Sequence, residues 1–221
     1  MQIQAPKNHL CKVTLLGNLV SKPDIRYQAN PVVAVAELTL ATHSRWFDKT
    51  IKQFKEWTSY HTVKVIGDIV DRALIHADKG DIILVQGYLI NSKKNNREII
   101  HACYAQTYPK GYAQSINQIH CSGIIISDLK AIKTENNTDM VEVIIESSQN
   151  IYSQLTQQNH IVTVQRPAHV WGKQALALVK NGKTNDQIIV DGKLSYINNK
   201  NKSQFIEASQ AVLLSKSSTS S

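Results

Sequence analysis

The residues with the most to offer a ligand are crowded into one stretch of this 221-residue chain. Ser44–Tyr60 (SRWFDKTIKQFKEWTSY) sets Trp46, Phe47, Phe54, Trp57 and Tyr60 among Arg45, Lys49, Lys52 and Lys55. Of the chain's 3 Trp and 3 Phe, only Trp171 and Phe205 lie elsewhere. Rings alternating with cations make a poor core, because the charged heads resist burial, and a good stacking surface. A ring stacks on a nucleobase for about 1–3 kcal/mol, and cations neutralise the phosphates between bases. The chemistry on offer is therefore non-covalent, the holding of a polyanion with flat faces, single-stranded nucleic acid foremost. The plainer alternative is that two or three of these rings only staple the segment to the rest of the fold.

Covalent chemistry finds no support. The sequence contains no nucleophile elbow, phosphate-binding glycine loop, zinc-hydrolase helix or deaminase signature. Asp24, Asp48, Asp68 and Asp71 have no partner at catalytic spacing. We expect neither catalysis nor a cofactor. His101-x-Cys103 and His120-Cys121 hold metal-ligand types, but adjacent strand residues such as His120 and Cys121 point to opposite faces, so no metal is expected. Cys11, Cys103 and Cys121 are odd in number and lack a CxxC spacing; they read as small, reduced core residues.

The formal charge of +8 is unevenly spread. Met1–Tyr112 carries 15 Lys and Arg against 9 Asp and Glu, Ala113–Ser221 only 10 against 8. The basic surface belongs mainly to the first half. Tyr108-Pro-Lys-Gly-Tyr112 punctuates the two halves, which predicts domains over 8–108 and 115–215, a linker over 109–114, and a low-complexity, disordered tail over 216–221. No apolar run approaches the roughly 20 residues of a membrane span, and the start lacks a signal core, so a cytoplasmic, nucleoid-associated protein is expected.

Leu10–Leu19, Val32–Thr42, Trp57–Gly67, Asp81–Ile90 and Glu98–Gln106 read as strands able to carry these groups. Each is short, β-branched or alternating, and bounded by turn residues. Asp68–Ala77 reads as a helix, with Asp68 as N-cap and Gly80 just past its end. Five strands with one helix between the third and fourth match the OB-fold barrel, whose strand faces bind single strands. The second half repeats the order at a spacing of 105: Gly67 with Gly172, Gly87 with Gly192, Val35-Ala-Glu-Leu38 with Met140-Val-Glu-Val143. It places a helix at Lys173–Lys180 and a last strand at Phe205–Leu214. An all-β chain of two tandem OB domains is expected.

Lys12-Val-Thr-Leu-Leu-Gly-Asn-Leu-Val20, Pro23-Asp-Ile-Arg-Tyr27, Val35-Ala-Glu-Leu-Thr-Leu-Ala-Thr42, Tyr60-His-Thr-Val-Lys-Val-Ile-Gly67 and Lys79-Gly-Asp-Ile-Ile-Leu-Val-Gln-Gly87 resemble the bacterial single-stranded DNA-binding proteins. The resemblance implies stacking roles for Trp46 and Tyr60, and phosphate contacts at Arg26, Lys49, Lys55, Lys79 and Lys93. Two of the family's rings are replaced here, by Ile66 and Lys94, and Asp68 reverses a family charge. Phe54 and Trp57 offer compensating rings, and Arg45, Lys52 and Lys94 further cations. In the second half Trp171 stands where Ile66 does in the first, restoring a ring, and Lys173 restores the charge lost at Asp68. Its counterpart of the ring-rich segment, Gln149–Asn159, holds only Tyr152 and no lysine or arginine, so weaker binding is expected there.

By the same resemblance His61 belongs at a subunit interface, and a chain with two such domains forms a homodimer presenting four. The family's acidic C-terminal tip has no counterpart in Ser218-Thr-Ser-Ser221, so tail-mediated host partners are not expected, and service to a plasmid, phage or other mobile element is. The expected function is sequence-independent binding and protection of single-stranded DNA in replication, recombination, repair or transfer. The alternative is a protein-interaction module of primosomal type.

Overall fold

The computed structural model describes residues 8–48, 51–92, 96–111, 113–135, 137–197 and 203–214. The chain is two OB barrels in tandem. By contact it divides into two compact units, one of Lys12–Asn117 with Tyr152–Asn159, the other of Met1–Cys11, Gln118–Ile151 and His160–Ser221. The tail expected over 216–221 lies outside the described residues.

The first barrel is built from β1 (Cys11–Leu19), β2 (Asp24–Gln28), β3 (Val33–Asp48), β4 (Gln53–Ile66), α1 (Asp68–Ala73), β5 (Ile82–Asn91) and β6 (Glu98–Tyr108). The strands run β2-β3-β4-β6-β5-β1, and β1 returns to β3 through Asn18↔Ala41 and Leu19↔Leu40, which closes the cylinder. Period-two alternation explains the interior: Val13 and Leu15, Leu38 and Leu40, Val63 and Val65 all point inward and are buried. Each such aliphatic contributes about 1.5–3 kcal/mol by leaving water.

Three sequence expectations need correction. The short strand β2 was not foreseen, because its burial pattern is nearly all exposed and offers no alternation to read. The helix ends at Ala73 rather than Ala77; Thr107 Oγ1 donates to the Ala73 carbonyl and takes it from the next helical turn. Its N-cap is Gly67 at φ 85°, not Asp68, since the strand-to-helix corner needs a left-handed backbone that a side chain resists.

The second barrel follows the same plan with β7 (Ile116–Ile125), β8 (Ala131–Lys133), β9 (Asp139–Ser153), β10 (Gln158–Trp171), α2 (Gly172–Asn181), β11 (Gln187–Tyr196) and β12 (Gln204–Leu214). β7 closes onto β9 through Ile124↔Glu146 and Ile125↔Ile145. The repeat extends to backbone detail. A register shift falls at Gln86/Gly87 in one barrel and at Asp191/Gly192 in the other, and a Cβ on either glycine would meet a carbonyl oxygen of the neighbouring strand at 2.2 Å. The spacing of 105 holds from β9 to β11 and becomes 106 at β12, one residue having entered the β11–β12 turn. Buried His61 of the first barrel is matched by Arg166 of the second, the largest fully buried side chain, which donates to Gln204 Oε1 at 3.1 Å and the Gln165 carbonyl at 2.8 Å.

Cys11 and Cys121 are buried as expected, but Cys103 is exposed. It is the extra residue of the first bulge, since Gln86 pairs with Tyr104 and Gly87 with Ala102, which turns its thiol out of the barrel toward the Gln86 carbonyl at 3.4 Å.

Candidate nucleic-acid interface

β3 and β4 outrun the barrel. Thr42 and His61 are the last buried residues at that end, and beyond them the pair continues as a two-stranded arm in unbroken register: His43↔Thr58, Ser44↔Trp57, Arg45↔Glu56, Trp46↔Lys55, Phe47↔Phe54, Asp48↔Gln53. Aromatic and Thr residues favour this extended backbone. At the turn Asp48 Oδ1 accepts the Ile51 N–H at 3.4 Å and Lys52 takes φ 50°.

With side chains alternating, the arm has two different ring-bearing faces. One continues the barrel interior and carries Trp46 and Trp57, with Lys55 Nζ 2.7 Å from Asp48 Oδ2. The other continues the outer wall and carries Phe47, Phe54 and Tyr60. There Phe47 and Phe54 meet edge to face at 5.2 Å, and the Arg45 guanidinium lies 4.2 Å from the Phe54 ring centroid and 3.6 Å from Glu56. All five rings are between 45% and 60% exposed. A ring stapled into the fold would be covered, so these keep their faces for something else. Phe47, to which the resemblance gives no stacking role, takes its place through its partner across the hairpin, Phe54.

The remaining candidates are more scattered. Arg26 is on β2, beside Asp24 at 2.5 Å. Lys79 follows α1, and its backbone N–H donates to Asp78 Oδ1. Lys52 is at the arm's tip. Lys49, Lys93 and Lys94 lie outside the described residues. In the second unit Trp171 ends β10 at 41% exposure and Lys173 is exposed in the first turn of α2, whereas Ile66, the counterpart of Trp171, is buried. Lys52, Lys79 and Lys173 enter no ion pair among the described residues.

His61 does not sit where a subunit interface would need it. Its side chain is fully buried within its own barrel, 2.8 Å from Thr42 Oγ1, and desolvation lowers its pKa from 6.5 to about 4. Strand parity explains this, since His61 shares the inward set with Val63 and Val65.

The outer walls of the two barrels differ in their balance of charge. In the first, Lys12 and Lys64 accompany Glu37, and Tyr88 stacks on His101 at 5.0 Å. In the second, Glu142, Glu146, Asp191 and Glu207 accompany Lys193; His169 lies 3.0 Å from Glu142 and His120 2.6 Å from Asp191. Four carboxylates against one lysine give the second barrel's wall a negative field, which repels a polyanion.

Comparison with known proteins agrees with this geometry. The profile of the Single-strand binding protein family matches residues 10–104. Among solved structures, the wild-type single-stranded DNA binding protein from Thermus aquaticus superposes with a TM-score of 0.76 at 20% identity, covering 97% of this chain and 98% of that one. A deletion variant of the same Thermus aquaticus protein gives 0.75 at 21%, covering 95% and 96%. At that identity the likeness is one of fold, and it spans both barrels. Over its first barrel, then, the chain is similar to the Single-strand binding protein family.

Proposed function

We propose that the protein binds single-stranded DNA without regard to sequence, and coats and protects it during replication, recombination, repair or the transfer of a mobile element. The observation that carries this reading is the arm, five exposed rings on two faces with Arg45, Lys52 and Lys55 between them. Every base has a face to stack on Trp46, Trp57 or Tyr60, and stacking reads no base edge, hence the indifference to sequence. The Arg45–Glu56 and Lys55–Asp48 pairs are solvent-facing, and such pairs are worth about 0–1 kcal/mol, so phosphates can take over either cation. Duplex DNA hides its base faces in the stack and offers the arm only phosphates.

The second barrel contributes Trp171 and Lys173 but presents an acidic wall, and it serves as a weaker site or as a structural partner. A homodimer of the 24.7 kDa chain would present four barrels; light scattering at twice the chain mass supports that assembly and a monomer mass removes it. Competition among unlabelled oligonucleotides tests the binding itself. Single strands of unrelated sequence should displace a labelled strand alike while duplex fails, and displacement by duplex at the same concentration would overturn the reading.

A further inference from the structure

Cys11 and Cys121 face one another inside one compact unit. The Ser122 N–H donates to the Leu10 carbonyl at 2.7 Å, and the Leu10 N–H to Ser122 Oγ at 2.8 Å. The two thiols lie in hydrogen-bonding contact, which together with the Leu10–Ser122 bond fits an antiparallel alignment with Cys11 opposite Cys121. Leu10 and Ser122 being joined through the backbone, the next couple is a non-hydrogen-bonded one, whose Cα atoms approach to about 4.5 Å with both side chains on one face. A disulfide accepts Cα separations of about 4.4–6.8 Å. The residues are 1% and 2% exposed, so solvent does not reach the pair in the folded chain.

We propose that Cys11 and Cys121 are a built-in oxidation site, closing to an intramolecular disulfide when the protein meets a low-molecular-weight disulfide. The surroundings keep the resting pair reduced and quiet. The hydrogen bond from Cys11 and then burial raise the Cys121 thiol well above its usual range, while Ser147 and the Arg166 guanidinium oppose that rise. Access comes from the strand end. Leu10, one residue before Cys11, is 52% exposed, and the reagent enters by local opening of the Leu10–Ser122 pair and of the His9–Ser148 bonds beside it. The Cys11 thiolate attacks the small disulfide, forming a mixed disulfide and releasing one small thiol. Cys121, its thiolate favoured by Arg166 and Ser147, then attacks the Cys11 sulfur and releases the second. Two protein thiols lose two electrons and two protons, and one small disulfide becomes two thiols. Exposed Cys103 is outside this pair and has no second thiol opposite it among the described residues.

The test uses the full chain carrying Cys103→Ser, which removes the exposed thiol and leaves both barrels untouched. After incubation with oxidised glutathione, intact mass should fall by about 2 Da, and a tryptic digest should yield the peptide of Cys11 joined to that of Cys121, lost again on adding dithiothreitol. Glutathione adducts on either cysteine without the joined peptide, or both thiols still free after prolonged exposure, would overturn the proposal.

Discussion

Trp46 and Phe47 are neighbours in the chain and stand on opposite faces of the same arm, Trp46 across from Lys55 and Phe47 across from Phe54. A single strand passing on either side of the arm meets rings, and neither face alone holds them all. Replacing Trp46 or Trp57 by Ala should weaken single-strand binding by about 1–3 kcal/mol each, and Phe54→Ala on the other face by a similar amount. Because these rings are about half exposed, the urea midpoint should hardly move. Titration of each variant beside its unfolding curve checks both halves of the statement.

Lys52, at the tip of the arm, has no acidic partner to satisfy among the described residues. If it neutralises one phosphate, Lys52→Ala should lower the slope of log K against log[salt] by about 0.7 for a single strand. An unchanged slope would take Lys52 off the strand's path.

Gly87 lies at the register shift of the first barrel, where a Cβ would meet the His101 carbonyl oxygen at 2.2 Å and its carbon at 2.9 Å. Backbone on both sides cannot step aside as a flexible side chain would. Gly87→Ala should destabilise by about 1–3 kcal/mol, and Gly192→Ala by as much, against Glu207. Urea denaturation of the two variants measures this, and two unaltered midpoints would contradict the strand register.

The buried His61 makes stability depend on pH in a defined direction. Its pKa falls from 6.5 to about 4 in the fold, so above pH 6.5 both states are neutral and the fold keeps its full stability. Between pH 6.5 and 4 the unfolded chain takes up a proton that the folded chain refuses, and stability declines as pH drops. At 1.36 kcal/mol per unit the loss is about 3 kcal/mol once pH reaches 4. His101, lowered to about 4 by desolvation and then by Lys64, acts in the same sense. His61→Gln should flatten much of the decline in urea midpoints measured from pH 7 to pH 4.

The barrels were legible because their interiors follow period two and because the glycines at 67 and 172, and at 87 and 192, mark the same corners twice. The ring-rich segment stood out by composition. What composition cannot convey is that β3 and β4 run on into an arm, so that register sorts its rings onto two faces. At His61 resemblance misled where parity does not: it suggested an interface, while counting from Val63 and Val65 puts the ring inside. Cys103 was unreadable because a bulge adds one residue and flips the alternation locally. The helix ended early through a tertiary bond from Thr107, which no local pattern encodes.

The measurement closest to the central claim is a tryptophan-fluorescence titration with oligothymidine, run for the unaltered chain and for the Trp46→Ala, Tyr60→Ala double variant, each shown by circular dichroism to be folded. The unaltered chain should be strongly quenched by the single strand and respond little to duplex of equal length, and the double variant should lose about 2–6 kcal/mol, at about 1–3 kcal/mol for each stacked base. Equal affinity for single strand and duplex, or full affinity retained by the double variant, would contradict that claim.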